Sequence, residues 1–169
     1  MAEDTRDRLI RYLDDAWAVE KGLVDTLNEM ADEVNDANVR SVFQEHARVT
    51  KQQEEDLEAR IRALGEEPSG GKGLLNSVMG GLADMLQGAH DEFDKTTQDL
   101  MKAYATENFE MAMYESLRAY CSAIGDTETA ALASRLFEQE HQAASLVWPL
   151  ITACAPRAAT AAYPQQRAA

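Results

Sequence analysis

Six side chains capable of metal ligation lie on or beside helical stripes that are otherwise apolar in this chain of 169 residues. A stripe here is a series of positions spaced alternately three and four apart, which fall on one face of a helix. An ionised carboxylate buried without a partner must pair, take up a proton or bind a cation. Several such acids in one core therefore predict a metal site. The six residues are Glu20, His46, Gln53, Glu107, Glu110 and Glu140.

The first two stripes predict an antiparallel pair of helices. Within residues 5–34, seven of eight stripe positions are apolar, and the eighth is Glu20. Residues 35–38 are rich in helix-capping types, so a second helix is expected to start near Asp36 and to run to Leu64, before Gly65.

A second pair of helices is predicted in the other half of the chain. The third helix is expected from about Asp91 to Ala123, and the fourth from Thr127 to about Cys154, with a turn at residues 125–126. Residues 1–155 are thus predicted to form one bundle. The Ala-rich residues 156–169 lack a usable period and are expected to form a flexible tail.

The segment between the two pairs predicts the connectivity. Seven of the nine glycines fall in the segment from Gly65 to Gly88, and a short amphipathic helix is expected from Leu74 to Leu86. A connection of roughly 25 residues can cross much of the length of a bundle. The predicted fold is therefore all-α, a ferritin-like four-helix bundle with a long crossover that contains a short extra helix.

Counting residues away from each turn shows which positions lie at the same level of the bundle, and it predicts that the acids lie close together. With one turn centred near residues 35–36, Glu20 lies opposite residues 50–52, and His46 is about one helical turn, ~5 Å, away. With the other turn at residues 125–126, Glu107 lies opposite Ala144, and the neighbouring Glu110 and Glu140 fall in the same layer. Repulsion between these carboxylates would be offset by a divalent cation or by protonation.

The donor types indicate which metals would suit this layer. Oxygen-rich ligation with a little imidazole favours iron or manganese, as one or two ions, and zinc remains compatible. Glu138 and His141 have the Glu-x-x-His spacing of bundle di-iron proteins. Glu138 falls on the polar face, however, so Glu140 is predicted as the inward residue and His141 as a neighbouring or substitute ligand.

Charge and composition exclude several classes of function. The net charge is −14 and the pI is about 4.5, which opposes binding to nucleic acid or anionic membranes. The N-terminus lacks the basic and apolar parts of a signal peptide, so a cytoplasmic location is expected. Neither a phosphate-binding loop nor a nucleophile elbow is present, which argues against kinases and hydrolases. Cys121 and Cys154 are predicted to be core residues.

Several short motifs, taken in their order and spacing, give the sequence a family resemblance. The motifs are Ala18-Val19-Glu20-Lys21, Phe43-Gln44-Glu45-His46, Leu57-Glu58, Leu64-Gly65-Glu66-Glu67-Pro68 and Glu107-Asn108-Phe109-Glu110. The sequence resembles the YciE/YciF-type bacterial ferritin-like proteins, which are associated with stress, over residues 5–152. The resemblance implies a di-metal carboxylate centre with Glu20, Glu107, Glu110 and Glu140 as inward carboxylates, and a homodimer.

The chain departs from the family pattern at several positions. The pattern tends to have Glu at Val49, His at Asn108 and Asp at Ala144, and it has either His or Gln at the position of Gln53. With two acids missing, one ion, a weakly held pair of ions, or an empty site stabilised by hydrogen bonds are all compatible with the remaining residues.

Two functional hypotheses follow. In the first, the protein is a ferritin-like carboxylate protein that binds iron or manganese, reacts with oxygen or peroxide if a second ion binds, and has a stress-related role. Tyr104 and Tyr114 flank Glu107 at helical spacing and are candidate hydrogen-bond partners or redox relays. In the second, the bundle has lost the metal chemistry and is a structural or interaction protein.

Overall fold

Four long helices make up most of the computed structural model, which describes residues 4–69, 80–81, 88–89 and 91–162, with side chains to residue 159. The fold is an all-α four-helix bundle, as the sequence predicts. The helices are α1 (Thr5–Glu33), α2 (Ala37–Ala63), α3 (Glu92–Ile124) and α4 (Thr127–Ala162).

The helices are packed as two antiparallel pairs, α1 with α2 and α3 with α4. The Asp36 carboxylate begins α2 by accepting hydrogen bonds from the backbone N–H groups of Asn38 and Val39. Gly125 ends α3 with a φ of +81°, a left-handed conformation that glycine adopts at little cost. Both turns are short because these residues satisfy the free polar groups at the helix ends.

The long segment between α2 and α3 joins the two pairs. The predicted short helix, Leu74–Leu86, falls outside the described residues, apart from residues 80 and 81, which are helical. Because α2 ends at Ala63 and α3 begins at Glu92, the order of helices matches the predicted ferritin-like connectivity with a long crossover.

The apolar core is divided into two clusters, with polar residues between them along every helix. On α1, Leu9 and Leu13 belong to one cluster, while Leu23 and Leu27 belong to the other, and Glu20 lies between them. The other three helices repeat this order, so the interior contains one polar layer between two apolar halves. We call the following set the polar layer: Glu20, His46, Gln53, Glu107, Glu110 and Glu140.

The fourth helix extends beyond its predicted end. The sequence predicts an end near Cys154, but α4 continues to Ala162 and includes Pro149 and Pro156. Ala-rich sequence favours a helix strongly, and the Arg157 guanidinium pairs with the Asp36 carboxylate at the α1–α2 turn. Residues 156–162 are therefore helical where a tail without regular structure was expected, and residues 163–169 lie outside the described part of the chain.

One smaller expectation and one general property of the helices can also be stated. Cys121 and Cys154 are free and buried, which confirms that they are core residues. Over the described residues, no helix combines the length and the apolar character needed to cross a bilayer.

Arg60, near the end of α2, binds the turn between α3 and α4 through hydrogen bonds and ion pairs. Its guanidinium donates to the Thr129 hydroxyl at 2.7 Å and lies 2.9 Å from an Asp126 oxygen and 2.6 Å from a Glu128 oxygen. The Arg60 side chain is only 11% exposed, so water replaces these bonds poorly.

We predict that Arg60→Ala lowers the free energy of unfolding by about 2 kcal/mol, because three acceptors lose a charged donor. The control is Arg62→Ala, which removes an exposed arginine from the same helix and is expected to cost less than about 0.5 kcal/mol. Urea denaturation of the two variants measures both values. Equal effects would show that Arg60 does not join the two helix pairs.

Candidate metal centre

All six predicted site residues lie in the interior. The exposed fractions are 0% for Glu20, Glu107 and Glu110, 1% for Gln53 and Glu140, and 7% for His46. Each lies on the inward stripe of its helix, with apolar residues above and below it. The four helices thus bring four glutamates, one histidine and one glutamine into a layer that excludes water.

His46 of α2 lies between carboxylates from the other helix pair. Its Nδ1 atom is 2.9 Å from Oε1 of Glu107 on α3, and its Nε2 atom is 3.7 Å from Oε2 of Glu140 on α4. These contacts are ionic rather than well-aligned hydrogen bonds. One ligand atom from each of the three residues lies within 4.8 Å of the others, a spacing suited to a shared ion.

Two further hydrogen bonds orient carboxylates of the layer. The amide Nε2 of Gln53 donates to Oε1 of Glu140 and, at 3.3 Å, to the side-chain oxygen Oε1 of Gln139. The Tyr114 hydroxyl donates to Oε1 of Glu20. Each bond holds one carboxylate oxygen and leaves the other oxygen of that group for a different partner.

Several buried ligand atoms have no hydrogen-bond partner. Both oxygens of Glu107, both oxygens of Glu110, Oε2 of Glu20 and both nitrogens of His46 are in this state. Buried polar atoms are nearly always paired in folded proteins, so this concentration needs a cause. A cation among these atoms would satisfy carboxylate oxygens and one nitrogen of His46, and the donor set of carboxylates with one imidazole fits iron or manganese.

Burial and mutual repulsion shift the acids toward their protonated forms. Burial raises the pKa of Glu110 well above 4.5, and the nearby Glu20 and Glu140 raise it further. Burial also raises the pKa of Glu107 to about 8, although His46 opposes this shift. Burial lowers the pKa of His46, but Glu107 and Glu140 outweigh that effect and raise it to about 10. Without a metal ion, protons supply the missing positive charge.

The structure shows which of the individual side chains considered in the sequence analysis are buried and which are exposed. Glu140 is buried whereas Glu138 and His141 are exposed, so the Glu-x-x-His spacing does not mark the interior. Val49 is half-buried and Ala144 is buried, and each borders a groove on the bundle surface. His90 lies outside the described residues.

Two aromatic residues and one threonine complete the surroundings. Tyr114 contacts the layer through Glu20, whereas the ring of Tyr104 packs against Trp148, with 4.9 Å between ring centroids. Thr50 is 1% exposed and its hydroxyl has no hydrogen-bond partner. Sequence reasoning missed Thr50, although it lies four residues after His46 and three before Gln53, on the same helix face.

Comparison with known proteins identifies the family. The model of the family described as a domain of unknown function (DUF892) matches residues 4–160. The chain belongs to this family. A comparison with curated proteins finds no match.

Three solved structures share the fold of this chain. The E. coli stress protein YciF has a TM-score of 0.79 at 17% identity, covering 89% of this chain and 96% of its own. A protein of Xanthomonas campestris pv. campestris (XCC3681) has a TM-score of 0.73 at 27% identity, and the match covers 89% of this chain and 93% of that protein. YcfI of Rhodopseudomonas palustris has a TM-score of 0.72 at 21% identity, and the match covers 86% of this chain and 93% of that protein. These matches confirm the predicted YciE/YciF-type resemblance.

We predict that the metal-free protein becomes less stable as the pH rises from about 5 to 9. For each shifted group the pKa is higher in the folded state, so the unfolded chain loses a proton that the folded chain keeps, and the free energy of unfolding falls with pH. Glu107 contributes to this loss of stability between its ordinary pKa of 4.5 and its folded pKa of about 8, and His46 contributes between its ordinary pKa of 6.5 and its folded pKa of about 10. Thermal melts in chelator at stepped pH measure this slope.

The Glu110→Gln variant tests the cause of that slope. Gln keeps the shape of the side chain and removes the acid, so the metal-free variant is expected to melt at a higher temperature than the original at pH 8 and to show a flatter pH dependence. Glu138→Gln, on the exposed face of α4, should leave both unchanged. A lower melting temperature for Glu110→Gln at pH 8 would contradict the prediction.

Proposed function

We propose that this DUF892 protein binds a divalent transition metal ion, iron(II) or manganese(II), in the polar layer. The observation that carries the proposal is the group of buried carboxylates around His46, which pairs with Glu107 and Glu140 but leaves several carboxylate oxygens of the layer without a hydrogen bond. His46, Glu107 and Glu140 would supply the first ion's ligands, because they already approach one another within 4.8 Å. Zinc is also compatible with this donor set.

A second ion would use the other side of the layer. Glu20 and Glu110 have unpartnered oxygens, and burial and the surrounding acids raise the pKa of both residues. A bound cation would replace the protons that otherwise neutralise these acids. The first ion would have three ligand residues including an imidazole, whereas Glu20 and Glu110 would be the two ligand residues of the second, so we propose that the second ion binds more weakly than the first.

When bound, iron or manganese supplies one-electron chemistry with oxygen or peroxide. The protein's own contribution is to exclude bulk water and to fix the ligands. The apolar clusters on both sides of the layer exclude water, and the bonds Tyr114–Glu20 and Gln53–Glu140 fix two carboxylates. We extend the proposal to a stress-related role, as the name of the E. coli neighbour suggests for that protein. We also extend it to a homodimer, which the family resemblance implies.

A structural or interaction role without metal is the second candidate. It is favoured by the hydrogen bonds of Gln53 and Tyr114, which satisfy part of the layer without a cation. It is also favoured by the raised pKa values, since a layer that holds protons needs no metal for neutrality. The two candidates differ in whether added metal stabilises the protein.

We predict that the protein binds one equivalent of Mn(II) tightly and that Glu107→Ala weakens this binding by at least about tenfold, because the cluster loses the carboxylate nearest His46. Calorimetric titration of the chelator-treated protein measures affinity and stoichiometry. Glu138→Ala removes an exposed glutamate near the same site and should bind as the original protein does. Heat-silent titrations together with an unchanged melting temperature in Mn(II) or Fe(II) would favour the structural candidate.

We also predict that Gln53→Glu increases the affinity for Mn(II) by about tenfold, equivalent to 1.4 kcal/mol, because it converts an amide into an additional carboxylate ligand. The same change should lower the melting temperature of the metal-free protein at pH 7 by adding a buried acid. Gln52→Glu, exposed one position earlier, is the control. Lower affinity for Mn(II) in Gln53→Glu would show that Gln53 does not face the bound ion.

A further inference from the structure

Thr50 lies on the inward face of α2 between two residues of the polar layer. It follows His46 by four residues and precedes Gln53 by three, and positions with this spacing share one face of a helix. It is 1% exposed, as Gln53 is. The preceding residue, Val49, is half-buried and borders a surface groove lined by α2 and α4. The inward position at this level of α2 is therefore Thr50 rather than Val49.

The hydroxyl of Thr50 differs from those of four other threonines in the helices. Thr26, Thr96, Thr97 and Thr106 each donate to the backbone carbonyl oxygen four residues earlier. The buried Thr50 hydroxyl makes no such bond and has no hydrogen-bond partner. A buried hydroxyl without a partner is costly, so a bound ligand that uses this oxygen would remove the cost.

The turn between α1 and α2 places Thr50 at the level of Glu20. Glu20 and Thr50 are equally far in sequence from Asn35, the middle of this turn, so they lie side by side in the antiparallel pair. Oε2 of Glu20 and both oxygens of Glu110 have no hydrogen-bond partner. The charge of Glu20 raises the pKa of Glu110, so these carboxylates are close to each other. Thr50 thus lies in the half of the layer proposed for the second ion.

Two helices present inward polar side chains at the same spacing but with different charge. Glu107 and Glu110 are three residues apart on α3, and Thr50 and Gln53 are three apart on α2. Both residues of the α3 pair are acids, whereas both residues of the α2 pair are neutral. A hydroxyl oxygen holds a divalent cation less tightly than a carboxylate oxygen does, because it contributes no negative charge.

We propose that Thr50 determines how many metal ions the polar layer holds. Its hydroxyl adds a neutral ligand to Glu20 and Glu110, and the absence of a third carboxylate leaves the second ion weakly bound. The proposal rests on the proposed function, because it concerns the same layer. Its test compares the number of bound ions in variants with the number in the original protein, so the two proposals can fail separately.

The experiment adds a carboxylate at position 50 and counts the Mn(II) ions by calorimetric titration. Thr50→Asp and Thr50→Glu place the acid on side chains of different length, so misfolding of one leaves the other as the test. We expect a folded variant to bind one more equivalent of Mn(II) than the original protein, at least about tenfold more tightly than any second equivalent in the original. Val49→Asp adds the same charge one position earlier and should leave the number of tightly bound ions unchanged.

Electron paramagnetic resonance distinguishes an added ion in the layer from one bound at the acidic surface. Two metal ions in a shared carboxylate site lie about 4 Å apart, and Mn(II) ions at that distance are magnetically coupled. The spectrum of an isolated ion should therefore disappear as the second equivalent binds to the Thr50→Asp or Thr50→Glu variant. An ion held by surface carboxylates would leave the spectrum of the first ion unchanged.

A second arm tests the hydroxyl without metal. Thr50→Val keeps the shape of the side chain and removes the unpartnered hydroxyl, so the metal-free variant is expected to melt at a higher temperature than the original. The control is Thr106→Val, at a residue that is 3% exposed and donates to the Lys102 carbonyl oxygen, and it should not raise the melting temperature. A lower melting temperature for Thr50→Val would show that the hydroxyl is bonded within the protein, and the proposal would be overturned.

The ion counts separate this proposal from the proposed function. One tight ion in the original protein, with no coupled second ion in a folded Thr50→Asp or Thr50→Glu variant, would overturn the role of Thr50 alone. An equal gain in Val49→Asp, or two tight ions in the original, would also overturn that role. No ion in the original but one in a position-50 variant would contradict the proposed function and support the ligand position of Thr50. No ion in any of these proteins would overturn both proposals.

Discussion

Uncompensated negative charge in a dry layer is the constraint on which this structure depends. Four glutamates from three helices lie in the interior, and many of their oxygens lack a hydrogen-bond partner. Such a layer persists only if positive charge enters it, as protons or as a metal ion, because burial of unpaired carboxylates is very unfavourable. His46 supplies one positive charge, which is fewer than the acids require. The rest of the bundle keeps this layer intact.

The apolar clusters on either side of the layer explain how the fold tolerates it. They keep water out, which strengthens the attraction between the carboxylates and any cation that enters. Contacts at the two ends of the bundle join the helix pairs at a distance from the acids, through Arg60 with Asp126 at one end and Asp36 with Arg157 at the other. Stability is thus supplied by the ends and the apolar halves, while the middle is available for binding.

The sequence predicts the helices and the inward acids well, but it predicts their contacts poorly. Glu20 and Glu140 interrupt apolar stripes, and helix geometry alone places such residues inside the bundle. The contact of His46 with Glu107 could not be predicted in this way, because it depends on how the two helix pairs are aligned, which the turns within each pair do not determine. The extension of α4 past Pro156 was missed because the Ala-rich sequence has no apolar period, whereas the contact between Arg157 and Asp36 is visible only in the fold.

Anomalous X-ray scattering from crystals grown with Mn(II) would test the central claim most directly, because it locates the metal without reference to activity. We expect a strong manganese peak among His46, Glu107 and Glu140, with a weaker peak or none beside Glu20 and Glu110. Manganese found only at surface carboxylates, with the six residues of the polar layer joined by hydrogen bonds alone, would contradict the claim that buried charge here exists to hold a metal.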